Sequence, residues 1–344
     1  MIKQLLMTLI VLTSTCIGYS QEEEIEIEIE AIIAQGYESY IEGDYETSIA
    51  VYKQAIAIDP TSALANNQIA LSYYKLGDYD NAILYSEKVI QDNNDPVYVL
   101  SSYVTKGSCL DIIGEIDASI KIFKEGIEKF PEDHYLQYNL AVNYFKINDL
   151  KNAEYHALQS ANIDKNHLST HYLLAHINHK KEEKIPTLLS SFYFLLAEPH
   201  TERAKEALDM VYTNFSKGVQ EETTKEGEPK NINITLKTNS EFGSSELMLS
   251  LLEASKSLEK NKDTSEDELF IENTTSFFTT LGDTNKETDG LWKGFYIPFF
   301  YTLAQSEHIK TFCHYVQQSK NENSVAWLKE NEQKINAMFS WLNS

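Results

Sequence analysis

A short phrase recurs at a fixed interval near the start of the chain. The tripeptide Gly-Asp-Tyr at 43–45 is repeated at 77–79, thirty-four residues later. A period of this length predicts a supersecondary unit that is copied along the chain, because each copy buries its apolar face on its neighbour. Extending the phase predicts five repeats, with a three-residue insertion between the second and the third. Their ranges are 29–62, 63–96, 100–133, 134–167 and 168–201.

Small residues occupy two positions of every repeat. Small side chains at these positions allow two antiparallel helices to approach closely. Large residues at position 24, such as Tyr52 and Phe123, are then expected to fill the space between hairpins. Position 8 holds Gly36, Ala70, Gly107, Ala141 and Ala175, and position 20 holds Ser48, Ala82, Ser119, Ala153 and Thr187.

Glycine and proline mark the turns of the repeats. Position 15 is glycine in the first three repeats, which predicts a tight turn between two helices. Asn148 and Glu182 take this position in repeats four and five, which therefore lose the Gly-Asp-Tyr turn. Proline at position 32 of the odd repeats is expected to end the second helix, at Pro60, Pro131 and Pro199.

These positions resemble the tetratricopeptide repeat family. Tyr73 and Tyr144 at position 11 and Ala55 at position 27 add to the resemblance, which covers residues 29–201. It implies an all-α fold, a solenoid of about five helical hairpins. A helix over Thr201–Phe215 is expected to cap the array, and a C-terminal helical domain follows.

The resemblance also implies a concave binding face. In the family, repeat positions 2, 5, 9, 12 and 13 of the first helices point into this face, which binds peptides or helices. Those positions give Ile33, Tyr37, Tyr40, Asn67, Leu71, Tyr74, Lys75, Val104, Ser108, Asp111, Tyr138, Val142, Phe145, Tyr172, His176 and His179. Family members that bind the C-terminal carboxylate of chaperones use a clamp of Lys, Arg and Asn, of which only Asn67 remains here.

Tyrosine is frequent on this predicted face, and it supplies contact area together with a polar hydroxyl. We therefore expect a groove for an apolar or aromatic peptide or helix of another protein, in a non-enzymatic scaffold or adaptor. The alternative for any one ring is packing between repeats. The alternative function is a carbohydrate- or nutrient-binding component of an outer-membrane uptake system. The missing lipid-anchor motif and the position of Trp292, Trp327 and Trp341 outside the repeats disfavour that function.

The first twenty residues have the pattern of a secretory signal peptide. Lys3 is followed by an apolar run over Leu5–Leu12, and Gly18 and Ser20 precede a cleavage site before Gln21. We expect an exported protein, periplasmic, secreted or associated with the outer membrane. A lipid anchor at Cys16 and an uncleaved N-terminal anchor are the alternatives.

The whole chain also resembles exported tetratricopeptide proteins of Bacteroidota. The resemblance lies in the Lys-Ile-Pro turn at 184–186, the apolar residues Phe192–Leu196, and the aromatic block before Ser306. The predicted organisation is a signal peptide, an acidic lead-in, the solenoid with its capping helix, a polar linker or mobile loop, and the C-terminal domain. These segments are 1–20, 21–28, 29–215, 216–243 and 244–344.

The charge of the chain argues against a nucleic-acid partner. The formal net charge is −23, from 52 acidic and 29 basic residues, whereas phosphate binding needs clustered positive charge. Arg203 is the sole arginine, so recognition of phosphate by several arginines is excluded. After cleavage of the signal peptide, no apolar run approaches the length of a membrane-spanning helix.

Helical patterns resume after the polar segment, although residues 232–236 alternate in the manner of one short strand. Trp292, Phe295, Tyr296 and Phe299 share one helix face, which is more typical of a core than of a partner groove. Pro298 is expected to kink or split this helix. The predicted helices are at about 244–260, 266–281, 288–306, 308–319 and 323–342.

No pattern predicts an enzyme, a metal site or a cofactor. The histidines at 167, 171, 176 and 179 have spacings that zinc sites use, but they point in different directions and no further ligand completes a set. Cys313 and His314 are adjacent, and consecutive helical residues do not face each other. Cys109 and Cys313 are expected to be buried thiols.

Overall fold

The computed structural model describes residues 29–92, 95–221, 232–236, 241–256, 264–285 and 287–344. The predicted signal peptide and acidic lead-in lie outside these ranges. The described residues are mostly α-helical, and the predicted all-α fold is confirmed. None of their helices combines the length and the apolar character that crossing a bilayer requires. The chain forms two compact units that divide between Asn143 and Tyr144.

Each predicted repeat contains two helices separated by a short turn. The helices are α1 (residues 29–42), α2 (Tyr45–Ile58), α3 (Ala63–Leu76), α4 (Tyr79–Asp92), α5 (Pro96–Ile112), α6 (Ile116–Lys129), α7 (His134–Lys146), α8 (Leu150–Ile163), α9 (Leu168–Lys180) and α10 (Lys184–Ala197). As expected, α2, α6 and α10 each end two residues before a proline. The three-residue insertion lengthens α5 at its start, where the Asp95 carboxylate accepts a hydrogen bond from the backbone N–H of Val97.

The predicted turn conformation occurs in all five repeats, including the two without glycine. Gly43, Gly77 and Gly114 have φ between 79° and 86°, in the left-handed region. Asn148 and Glu182 take the same region, with φ of 63° and 61°. Asparagine tolerates the left-handed conformation, whereas the same conformation destabilises a glutamate by roughly 1–2 kcal/mol. The loss of the Gly-Asp-Tyr phrase in repeats four and five therefore did not remove the turn.

Ring packing against position 8 explains why that position must be small. A Cβ atom added at Gly107 would lie 2.5 Å from the ring of Phe123 at position 24 of the same repeat. A Cβ atom at Gly36 would lie 2.8 Å from the ring of Tyr52 in the same way. Both rings are 1% exposed. The two helices of these hairpins thus meet through a ring seated on a backbone without a side chain.

A hydrogen-bonded hydroxyl lies beside each of these ring contacts. Ser119 Oγ donates to the backbone oxygen of Gly107 at 2.7 Å and accepts from the amide of Asn143 at 2.6 Å. Ser48 Oγ donates to the backbone oxygen of Gly36 at 3.0 Å and lies 3.2 Å from Ser72 Oγ. Position 20 therefore joins the two helices of one repeat to position 10 of the next repeat, a role that its small size alone did not reveal.

The second unit continues past the repeats through two strands and further helices. The strand expected within 232–236 is confirmed, because β2 (Ile232–Ile234) pairs antiparallel with β1 (Val219–Glu221). The remaining elements are α11 (Glu202–Ser216), α12 (Gly243–Ser255), α13 (Glu266–Thr284), a π-helical turn (Trp292–Tyr296), α14 (Ile297–Ala304), α15 (Ile309–Gln317), α16 (Glu322–Glu330) and α17 (Glu332–Leu342). The single helix predicted over 323–342 is two helices, because the chain leaves the helical conformation at Asn331.

Pro298 shifts the hydrogen-bond register of its helix. The backbone N–H of Ile297 bonds to the oxygen of Trp292, five residues earlier, and Pro298 has no N–H to continue the ladder. Gly294 is required inside this turn, since a Cβ there would lie 2.4 Å from the backbone oxygen of Thr288. The predicted disruption at Pro298 takes the form of a π-helical turn.

The C-terminal helices pack directly on α10. Tyr193 of α10 contacts Phe295, Tyr296 and Phe299 at ring-centroid distances of 5.2, 5.7 and 5.6 Å. The aromatic block therefore packs on α10 rather than facing solvent, with Tyr296 fully buried and Phe295 and Phe299 half-buried. Phe192 lies beside a second group of rings at 5.2–6.3 Å, formed by Phe215, Phe270, Phe278, Phe300 and Phe312.

The expected capping helix α11 begins at a Thr201 side chain that accepts a hydrogen bond from the backbone N–H of Ala204. Its outer face is covered by protein, since Tyr212 and Phe215 both pack on Phe270. The domain boundaries at 215 and 244 stay a prediction.

A buried histidine also joins the repeats to the C-terminal helices. His171 Nδ1 is hydrogen-bonded to the hydroxyl of Tyr296, and Nε2 lies 2.8 Å from the backbone oxygen of Lys165. The side chain is fully buried, and burial lowers the pKa of His171 from 6.5 to about 4.

We predict that Gly107→Ala lowers the free energy of unfolding by about 1–3 kcal/mol, because the new methyl group overlaps the ring of Phe123. Chemical denaturation monitored by circular dichroism measures the change. Gly243→Ala is the matched control: nothing lies within 4 Å of its added Cβ, so stability should be kept or slightly raised. The cost of Gly107→Ala should shrink in a Phe123→Leu background. An equal cost in both backgrounds would contradict the contact.

We predict that His171 makes the protein less stable as the pH falls from about 6.5 to about 4. In this window the unfolded chain binds a proton at His171 that the folded chain excludes, so unfolding becomes easier. The shift corresponds to about 3 kcal/mol. The difference in unfolding free energy between pH 7 and pH 4 should therefore be smaller for His171→Gln than for the parent chain. Identical pH dependence in the two proteins would show that His171 is not buried in its neutral form.

Candidate functional site

The predicted concave residues lie on the first helices of the repeats, and their accessibility differs widely. On α1, Tyr37 is 55% exposed, while Ile33 and Tyr40 are half-buried. Ile33 packs against the core cluster that contains Tyr52. On α3, Leu71 is half-buried and Lys75 is exposed. The accessible part of this face in the first unit is thus centred on tyrosine rings.

Asn67 already has its partners within the protein. The side chain is 2% exposed. Its amide donates to Ser101 Oγ at 3.0 Å and to Ser102 Oγ at 3.1 Å, both on α5. This position joins α3 to α5, so the last residue of the carboxylate clamp has a structural role here.

Two tyrosines of the predicted face repeat the same contact. Tyr40 packs edge-on against Tyr45 at a centroid distance of 5.4 Å, and Tyr74 packs against Tyr79 at 6.0 Å, both with an interplanar angle of 64°. Tyr45 and Tyr79 are the tyrosines of the Gly-Asp-Tyr turns. Burial raises the pKa of Tyr40 and Tyr74. Both rings are half-buried, so each one packs within its own hairpin and still leaves part of its surface accessible.

The neighbours of Tyr74 extend the face onto α5. After burial, Cys109, Tyr79 and Asp111 are the groups that raise the pKa of Tyr74. Asp111 is half-buried and lies on the expected face of α5. Cys109 is buried, and burial raises the pKa of its thiol to about 12, as expected for an inert core thiol.

Tyr98 is a further half-buried tyrosine, in the first turn of α5. Burial raises the pKa of Tyr52 to about 12, and the hydroxyls of Tyr98 and Tyr37 contribute. Tyr98 lies in the inserted residues before the third repeat, outside the repeat register, so no repeat position could identify it.

The remaining residues of the predicted face lie on α5, α7 and α9. Tyr138, Val142 and Phe145 are half-buried on α7. The Lys180 ammonium lies 5.4 Å from the ring centroid of Phe145. Ser108 and Val104 of α5 are half-buried as well.

On α9 the predicted face is covered by α11. The Tyr172 hydroxyl donates to the Glu206 carboxylate, and His176 Nε2 lies 3.8 Å from the same carboxylate. The Arg203 guanidinium lies 5.3 Å from the ring centroid of Tyr172, and Arg203 also pairs with Glu198 at 2.5 Å. Burial lowers the pKa of His176. Tyr172 and His176 are therefore engaged within the protein.

The histidines and cysteines do not assemble a metal site in the part of the chain that the structure describes. No group of three or more His, Cys, Asp or Glu side chains there has a metal-ligating arrangement. His179 Nδ1 lies 3.1 Å from the amide nitrogen of Asn214. His314 stacks on Trp327 at 4.3 Å and lies 3.0 Å from Ser324 Oγ.

Comparisons with known proteins agree with the repeat assignment. Residues 36–77 match a model described as TPR repeat, and residues 63–93 match a model described as tetratricopeptide repeat. Human tetratricopeptide repeat protein 28 is 24% identical over 135 residues, which is 39% of this chain and 5% of that protein. The chain thus spans a small part of that relative.

Several solved structures are similar to more than half of the chain. One is pilF of Pseudomonas aeruginosa, at 17% identity, TM-score 0.45, and coverage of 56% of this chain and 90% of that chain. MamA of Desulfovibrio magneticus has 15% identity, TM-score 0.42, and coverage of 54% and 96%. YrrB, described as a TPR protein with an unusual peptide-binding site, has 16% identity, TM-score 0.42, and coverage of 52% and 90%. The two matched models show that residues 36–93 of this chain carry tetratricopeptide repeats.

Proposed function

We propose that this chain is a non-enzymatic scaffold or adaptor that binds a peptide or a helix of another protein on the first helices of its repeats. Tetratricopeptide repeats are generally protein-interaction modules without catalytic activity. One observation carries the proposal for this chain. Tyr52 and Phe123 on second helices are 1% exposed, whereas Tyr37 on α1 is 55% exposed and Tyr40 and Tyr74 keep accessible ring area.

The chemistry of this surface favours an apolar or aromatic segment. A tyrosine ring offers a large rigid contact area and loses little conformational entropy on binding, while its hydroxyl can hydrogen-bond to a peptide backbone. Tyr37, Tyr74 and Tyr98 supply such rings on α1, α3 and α5. Lys75 and Asp111 place one charge of each sign on the same helices, which can orient a bound backbone.

We further propose that the protein acts in the cell envelope. The support is the signal-peptide pattern of the first twenty residues and the resemblance of the whole chain to exported tetratricopeptide proteins of Bacteroidota.

We predict that a displayed library of random peptides, selected on the purified chain, yields binders rich in aromatic and large aliphatic residues. The double variant Tyr37→Ala/Tyr74→Ala should bind these peptides about tenfold or more weakly, because it removes two accessible rings. Fluorescence anisotropy with a labelled selected peptide measures the loss.

Tyr155→Ala is the matched control. Tyr155 is 57% exposed on α8, a second helix, so the same substitution there should leave peptide affinity unchanged. Circular dichroism checks that both variants are folded. Equal losses in the two variants, or selected peptides without apolar residues, would overturn the proposed surface.

Export makes a separate prediction. The protein recovered from the envelope or the medium should begin at Gln21, as read by N-terminal peptide mass spectrometry, because Gly18 and Ser20 fit the cleavage rule. Replacing Leu9 and Leu12 in the apolar run with Asp should retain the protein in the cytoplasm. Recovery of the protein from the cytoplasm with Met1 still present would refute the envelope location. It would not bear on the proposal that the first helices bind a peptide.

A further inference from the structure

The second unit contains a cavity of about 360 Å³ beside the two-stranded hairpin. Thr235 and Leu236 line it from the segment after β2, Glu246 from α12, and Lys184 from the first position of α10. A volume of this size suits a small molecule. None of these residues belongs to the predicted first-helix face.

Lys184 is buried to an unusual degree for a lysine, with 6% of its surface exposed. Its Nζ donates to the backbone oxygen of Lys217 at 2.8 Å and to Ser250 Oγ at 3.2 Å. An ammonium group has three N–H donors, whereas a neutral amine has two donors and a lone pair. Two acceptors therefore satisfy the neutral amine completely and leave its lone pair unshared.

The charges around Lys184 do not restore the ordinary basicity of its amine. Burial lowers the pKa of Lys184 from 10.5 to about 8, although the carboxylates of Glu246 and Glu253 favour the ammonium. The positive charge of Lys217 lowers the pKa of Lys184 further. Glu182, on the cavity wall, lies 3.5 Å from the ammonium of Lys217. About half of the molecules then carry a neutral amine at pH 8, compared with roughly 0.3% for an ordinary lysine.

We propose that Lys184 is a nucleophilic amine that small activated acyl donors, such as anhydrides, acyl phosphates and reactive esters, modify from this cavity. The lone pair of neutral Nζ attacks the acyl carbonyl carbon, and a C–N bond forms as the bond to the leaving group breaks. The leaving group departs with the bonding electron pair, and the amine loses one proton to solvent. The product is an amide, which removes the positive charge beside Glu246.

Trace labelling of the folded full-length chain with acetic anhydride tests this proposal, with peptide mass spectrometry reporting the rate at each lysine from pH 6 to pH 10. Lys121, whose side chain is 78% exposed, is the internal reference. At pH 7.5, Lys184 should react about tenfold faster than Lys121, since its larger neutral fraction outweighs the lower intrinsic reactivity of a less basic amine. The pH midpoint of its rate should lie near 8.

A purely structural lysine gives the opposite result. An amine that only joins α10 to the carbonyl of Lys217, just after α11, would be shielded. Lys184 would then react more slowly than Lys121 at every pH, and this outcome would overturn the proposal. Glu246→Gln provides a second test, because losing a carboxylate that favours the ammonium should lower the pH midpoint. An unchanged or raised midpoint in that variant would also contradict the proposed environment. Because labelling is read on individual peptides, neither test depends on peptide capture by the first-helix face.

Discussion

The contact between position 8 and position 24 is the constraint on which the repeat architecture depends. In the first and third repeats, the rings of Tyr52 and Phe123 lie against glycine backbones, closer than any side chain would allow. This brings the two helices near enough for Ser48 and Ser119 to reach the backbone oxygens of those glycines. Tyr52 and Phe123 on the second helices are consequently buried, while Tyr37 of α1 is exposed and Tyr40 and Tyr74 are half-buried.

The periodic features of the fold could be predicted from the sequence because they rest on local sterics. Turn glycines and helix-ending prolines act on their own backbone, and the small residues act on the neighbouring helix of the same hairpin. The left-handed turns at Asn148 and Glu182 were missed since neighbouring helices impose a conformation that residue preference does not indicate. The packing of Phe192 and Tyr193 on the C-terminal helices was missed because it joins positions about a hundred residues apart without any repeat spacing.

Repeat position places the candidate residues on the first helices, but it does not indicate which of them are accessible. Repeat position selected Tyr37, which is exposed, yet it also selected Asn67, whose amide bonds between α3 and α5, and Tyr172, whose hydroxyl bonds to Glu206. It passed over Tyr98 and Lys184 altogether, because one lies in the insertion and the other in a cavity formed with segments far along the chain. Accessibility depends on what covers a face, which a repeat register does not encode.

Amide hydrogen exchange with and without a selected peptide tests most directly whether the first helices form a binding surface supported by the second helices. The account predicts that added protection is confined to α1, α3 and α5 within the first unit, while exchange in α2, α4 and α6 stays as it is in the free chain. Protection concentrated on the second helices, or spread evenly over both sets, would contradict it.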